Sequence, residues 1–411
     1  MVKSLTTIVA LMATVFLAPP TALATQWNPN IDGHLQWQGR HFPQAGLRPE
    51  QVDNSHSLSL NLQGYQDFFD GRSRLAFDVI ARQDFNDDAR DLFDVQELYW
   101  WYQTENDLEI TIGNRIVFWG VTETRHLVNI INQSDQQSNI DQEDRLGQPM
   151  VSLLTVQSWG NLEAFALIGF KPQEYSQRHS RFAPPLPVEP SLTRYQASRD
   201  DDHIDWALRY SHVIDIWDIG ASYFKGTNRD PRYIVQAAPK GSVSEAGTLV
   251  LAPYYSQLEQ VGIDLQATTE YWLWKLEAIA GQEKYQGRNE NYRALVAGGE
   301  NTLYGIFNSV ADLGLLFEYQ YDNRSYTSAD NDLAIGARLA LNNAADTSAL
   351  LAMTVDLDNH SQFISFEASH RLNDVWSIAS EVRVLTNTSP QDLSFAIRND
   401  DYIELTVNRY F

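Results

Sequence analysis

The sequence predicts an all-β fold, a transmembrane antiparallel β-barrel of about eighteen strands with sixteen as the alternative. Three observations carry this. Apolar and polar residues alternate with period two from residue 34 to the end, the pattern of strands with one apolar face. Every second connection is short and polar, while the others are longer and several are very long. Charged residues sit in mid-strand on the polar face, and aromatics cluster near strand ends.

Taken in order, residues 1–24 read as an export signal: Lys3 supplies the positive start, an apolar run follows, and Ala22-Leu23-Ala24 has the small-x-small form of a cleavage site. Residues 25–411 then read as one barrel domain. Strand segments centre near residues 37, 62, 79, 99, 112, 154, 166, 208, 221, 264, 279, 299, 317, 337, 352, 366, 381 and 406. Leu58, Leu60 and Leu62 oppose Ser59, Asn61 and Gln63. Leu108, Ile110 and Ile112 oppose Glu109, Thr111 and Gly113. Ala349, Leu351, Met353 and Val355 oppose Thr354 and Asp356. The short links include Asp70-Gly71, Glu105-Asn106, Asp215 and Glu270-Tyr271, and the long ones are 44–55, 121–149, 173–202, 227–256 and 388–400. An even strand number places both chain ends on the short-turn side. Within 121–149, Thr122 as N-cap and Glu123 in the first turn predict a short helix over 122–132.

Composition narrows the function. The 30 Lys+Arg against 53 Asp+Glu give a net charge of −23, which argues against a nucleic-acid partner because phosphate neutralisation needs a basic face. With no Cys there is no disulfide, thiolate metal site or Cys nucleophile. No Gly-x-Ser-x-Gly elbow, His-Glu-x-x-His or phosphate loop is present, so no catalytic residue, metal or cofactor is assigned and no enzyme activity is expected. The run Asp200-Asp201-Asp202-His203 does not make a metal site by itself, because consecutive side chains on an extended chain point to opposite sides.

The last strand ends in Phe411, with Ile403, Leu405 and Val407 on the same face and Arg409 two places before the end. This ending resembles the C-terminal signature of Gram-negative outer-membrane proteins, and the resemblance implies recognition by the barrel-assembly machinery. The stretch Gly113-Asn114-Arg115-Ile116-Val117-Phe118-Trp119-Gly120, followed by Val128-Asn129-Ile130-Ile131-Asn132, is similar to a motif of uncharacterised proteobacterial outer-membrane barrels. There the Arg directly follows the Gly, and a Pro-x-Asp stands where this chain has Gln133-Ser134-Asp135. The segments 298–305 and 311–319 resemble a hairpin of the same group. The resemblance implies a porin-like role in the outer membrane without defining a solute.

General porins fold the loop after their fifth strand into the lumen. By that analogy, residues 121–149 are expected to form a constriction in which Asp135, Asp141, Glu143 and Asp144 oppose wall arginines Arg74, Arg82 and Arg115, with Glu109 and Glu318 as further lumen residues. The expected function is passive diffusion of small solutes across the outer membrane. Lipid is the surrounding partner, and a homotrimer is left open. Two alternatives stand beside it. One is a non-conducting barrel, its lumen filled by loops 121–149 and 173–202, that works with an envelope export or lipid-transfer system. The other is a secreted carbohydrate-binding β-protein, with its aromatics gathered in one groove.

Overall fold

The computed structural model describes residues 29–411 apart from 142, 243 and 245. Residues 1–24, read above as an export signal, lie outside the described residues. The strands are β1 (Asn30–His41), β2 (Asn54–Phe68), β3 (Ser73–Asp84), β4 (Leu92–Gln103), β5 (Leu108–Arg115), β6 (Gln148–Gln157), β7 (Gly160–Ile168), β8 (Arg194–Tyr195), β9 (Ile204–Ile214), β10 (Trp217–Thr227), β11 (Arg232–Ala237), β12 (Leu249–Tyr255), β13 (Gln257–Thr268), β14 (Trp272–Tyr285), β15 (Arg288–Leu303), β16 (Asp312–Asp322), β17 (Asn331–Ala340), β18 (Ser348–Asp356), β19 (Gln362–Asn373), β20 (Trp376–Thr386) and β21 (Tyr402–Tyr410).

Eighteen of these form one antiparallel sheet in which each strand pairs with its neighbours along the chain. The sheet closes where β1 meets β21, in a register running from His34↔Tyr410 to His41↔Ile403. Closure leaves no edge, so every strand has a partner on both sides. All eighteen expected segments fall inside barrel strands. The other three strands, β8, β11 and β12, make a small sheet within the long connections 173–202 and 227–256. Among the described residues no helix is long and apolar enough to cross a membrane.

Alternation decides what each face meets. Leu58 and Leu60 of β2, Val261 and Ile263 of β13, Leu315 and Phe317 of β16, and Ile335 of β17 all point outward and are exposed, whereas Ser57, Ser59, Gln260, Asp264, Glu318 and Ala334 point inward and are buried. An apolar band of this extent around a closed wall is stable facing acyl chains, not water. Outward aromatics mark the short-turn end of the band. Trp272 stacks on Trp274 at 4.9 Å, Trp100 on Tyr102 at 5.7 Å and Trp159 on Tyr210 at 6.3 Å. The aromatic run in β4 divides between the faces: Trp100 and Tyr102 lie outside, while Tyr99 and Trp101 line a cavity inside. Both described chain ends lie with the short turns, and Phe411 exchanges backbone hydrogen bonds with Gly33 at 3.0 and 3.1 Å.

The candidate constriction

After β5 the chain turns into the barrel. Residues 116–132 lie along one inner wall and bring Val117, Trp119, Leu127, Val128 and Ile131 against Met150, Phe165, Leu167, Phe224, Leu258, Ile279 and Val296 of strands β6 to β15. Val128 and Ile131 have 0 % exposure, so this part of the lumen is a dry core rather than a channel. The wall accommodates the loop closely. At Gly262 an added Cβ would come within 2.9 Å of Val128. At Gly120, whose φ of +140° favours glycine, it would meet the Glu277 carboxylate at 2.8 Å.

Two wall carboxylates hold this segment. Glu277 of β14 accepts from the backbone N–H of Val121 (2.7 Å), Thr122 (3.1 Å) and Val128 (3.1 Å) and from the Thr122 hydroxyl (2.6 Å). Glu318 of β16 accepts from the N–H of Glu123 (2.7 Å) and Thr124 (2.8 Å) and from the Thr124 hydroxyl (2.6 Å). The helix expected over 122–132 does not form. The N–H groups that would start it are bonded to Glu277 and Glu318, and an extended turn presents them to the wall as a helix would not. Glu318 is therefore an anchor of the loop rather than a free lumen charge. Arg125 fixes the same turn through Asp322 (2.8 Å) and the carbonyl of Ala329 (3.0 Å).

The second half of the loop crosses to the opposite wall. Arg40 of β1 donates to the Ser138 carbonyl (3.0 Å), and Tyr402 of β21 donates to Asn139 (2.9 Å). Arg82 meets Asp135 at 3.2 Å, and Arg383 of β20 meets Asp141 at 3.0 Å. Above this wall, residues 169–203 reach over the mouth. The buried Arg181 bonds Asp400 at 2.9 Å and Asp53 at 3.3 Å, and Phe182 packs on Phe42 and Tyr402.

What remains open runs beside β16 to β21. A cavity of about 490 Å³ at the long-loop end and one of about 390 Å³ at the short-turn end share Thr124, Asp141, Thr354 and Phe363 as lining. Around that junction stand Glu123, Asp141 and Glu143 of the loop and Glu367 and Glu381 of the wall, with Arg338 and Arg383 as the cations. Arg383 binds Glu367 at 2.6 Å and lies 3.4 Å from Glu381. Arg338 pairs with Glu123, which Lys275 also reaches at 3.4 Å. Burial opposes the Glu123 charge, but Arg338 and Lys275 outweigh it and hold its pKa below the usual range. Among the described residues Glu143 has no cation within ion-pair distance. Burial, then Asp141 and Glu367, push its pKa up to about 7. Burial, then Asp141 and Asp135, push Asp144 up to about 6. In the upper cavity Asp230, Asp332, Asp356 and Asp392 have no ion-pair partner among the described residues, whereas its two arginines, Arg125 and Arg324, both bond Asp322.

Of the expected wall arginines, only Arg82 faces the loop. Arg74 is paired with Asp67 (2.7 Å), and Arg115 with Glu163 (3.3 Å) and the Ser152 hydroxyl (3.0 Å). With Glu109, which accepts from Trp101 at 2.9 Å, these two line a separate cavity of about 310 Å³ below the filled region. The expectation that they oppose the loop carboxylates is corrected: nearer acids on their own sheet take their charge. Asp141 and Glu143 do come to the open side, but only Asp141 has a wall partner there, Arg383, while Asp144 lines a neighbouring cavity with Arg40 and Arg82. Glu123, Arg338, Glu367 and Glu381 were not among the expected site residues. The mid-strand charges on the lumen face were the available signal for the three wall residues.

A closed barrel with an apolar outer band and an inserted loop defines the class: a transmembrane β-barrel of the outer-membrane type. Comparison with known proteins adds little to that. No protein-family model matches the chain, and no curated protein matches it. Among solved structures it is similar to a loop-L8 deletion mutant of OmpT, an outer membrane protein of Vibrio cholerae, with 8 % identity, TM-score 0.47, and 93 % of this chain and 99 % of that one covered. It is also similar to a mutant of Rh. blastica porin, with 11 % identity, TM-score 0.42, and coverage of 93 % and 100 %. The fold assignment rests on the strand pairing of this chain and not on these likenesses.

Proposed function

We propose that the protein is an outer-membrane channel for passive diffusion of small hydrophilic solutes, with a preference for cations. The observation that carries this reading is the pair of cavities meeting at Thr124, Asp141, Thr354 and Phe363 along the polar wall. Acidic groups outnumber cations along that route, and carboxylates lining a narrow wet path raise the local concentration of cations. The test is single-channel recording of the purified, heat-modifiable protein in a planar bilayer under a salt gradient. Stable conductance steps with a cation-side reversal potential support the reading. Arg383→Ala should raise the cation-to-anion permeability ratio roughly twofold, since three carboxylates lose their shared counter-charge.

One observation favours a second reading. Loops 116–147 and 169–203 together cover much of the lumen and mouth, as expected of a barrel that serves an envelope export or lipid-transfer system without conducting. A folded barrel that inserts into the bilayer and never conducts would select that reading.

A further inference from the structure

The outer face carries a feature that the channel does not use. Across four neighbouring strands the register aligns Lys225, Glu259, Gln282 and Asn291 in one outward row near the long-loop end. The next row toward the middle of the band is Tyr223, Val261, Ala280 and Arg293, and the one after it, Ala221, Ile263, Ala278 and Leu295, is apolar. Lys284 stands one pleat beyond Gln282. Polar chemistry thus begins abruptly at the edge of the acyl-facing band.

Two of the three cations in this patch are uncompensated. Lys225 lies 3.5 Å from Glu259, which also accepts from the Tyr223 hydroxyl. Lys284 and Arg293 are exposed and have no ion-pair partner among the described residues. Elsewhere on the outward face of the barrel strands, the other described cation is Arg409, at the opposite end, over Trp376. In a chain of net charge −23, a concentration of outward cations at one rim is not a solubility device.

We propose that this rim of β10 to β15 binds the phosphate headgroup of an anionic lipid in the leaflet at the long-loop end. Arg293 stands in the row next to the apolar one, so that its stem reaches headgroup depth from the edge of the band and its planar fork faces phosphate oxygens, and Lys284, two rows further out, already stands at that depth. Between the two cations the Gln282 amide donates to the Asn291 amide oxygen at 3.0 Å, which turns the Asn291 NH2 group into a further donor. Continuity with the acyl-facing surface is what assigns a lipid, since its chains lie against the Ile263 and Leu295 row when its headgroup meets the cations. The inference rests on the barrel spanning a bilayer and is independent of conduction.

The experiment compares the full-length protein in phosphatidylcholine vesicles with and without phosphatidic acid, measuring lipid retained on the purified barrel by native mass spectrometry. The wild type is expected to retain phosphatidic acid over phosphatidylcholine, and Lys284→Gln with Arg293→Gln to lose about fivefold in that preference per charge removed. Arg409→Gln, at the other rim, should leave it unchanged. Equal retention by wild type and the double variant, or an equal loss in Arg409→Gln, overturns the proposal. Heat-modifiability of each variant in pure phosphatidylcholine separates this outcome from failure of the bilayer-spanning reading. The neutral substitutions avoid placing a carboxylate at the membrane edge.

Discussion

The two halves of the lumen are built from the same alternating strands and do opposite things. Along β6 to β15 the inward residues include Met150, Phe165, Leu167, Phe224 and Ile279, and the inserted loop covers them with Val117, Leu127, Val128 and Ile131. Along β16 to β21 and β1 to β3 the inward residues include Glu318, Arg338, Glu367, Glu381, Arg383, Glu404, Arg40 and Arg82, and the loop meets this wall through ion pairs and hydrogen bonds. Strand alternation sets which residues point inward, but the chemistry of those residues decides whether a half is filled or wet. An apolar inner wall has to be covered, because leaving it in a water-filled pore forfeits burial worth roughly 25 cal/mol per Å². A charged inner wall resists being covered, because each group would need a partner.

The comparison can be broken hardest at Val128. Val128→Asp places an unpaired carboxylate in the dry core, at a cost of several kcal/mol by analogy with other unpaired buried charges, and should unseat the loop. The expected readout is a several-fold larger and noisier single-channel conductance with the barrel still heat-modifiable. Glu277→Ala combined with Glu318→Ala should act in the same direction, since it leaves five backbone N–H groups without acceptors.

A smaller effect should come from pH, and only in the open half. Glu143, with its pKa at about 7, and Asp144, at about 6, are neutral in acid and charged in base. Cation preference should therefore fall as pH drops from 8 to 5, and reversal potentials across that range measure it. Glu143→Gln should flatten the part of the curve around neutrality, and an unaltered curve would remove Glu143 from the route. The smallest effect belongs to Arg115→Ala. This arginine is paired with Glu163 beneath the filled half, and selectivity should change little, with a stability loss of about 1 kcal/mol or less in denaturant titration.

The barrel was legible in the sequence because its determinants are local. Leu58, Leu60 and Leu62 against Ser59, Asn61 and Gln63 specify a face without reference to anything distant, and the same holds around the wall. The insertion of the loop was anticipated only by analogy, and its conformation was not legible. Thr122 and Glu123 carry good helix-start signals, but the groups that capture their N–H donors are Glu277 and Glu318, 155 and 195 positions away. Arg74 and Arg115 were misassigned for a related reason. Which acid a lumen arginine meets depends on strand register, and for Arg74 that acid is Asp67 on the adjacent strand. The small sheet escaped notice because β8 has two residues and pairs with β12 through an extracellular fold that no alternation announces.

The position of the loop anchors along the chain also sets an order of events. Residues 116–147 emerge after the fifth strand, yet they are tied to β14, β16, β20 and β21, with Asp141 and Arg383 separated by 242 positions. Contacts of such long sequence separation form late. During biogenesis the inserted loop is thus synthesised early, and its anchors on β20 and β21 can form only once the last strands have been made.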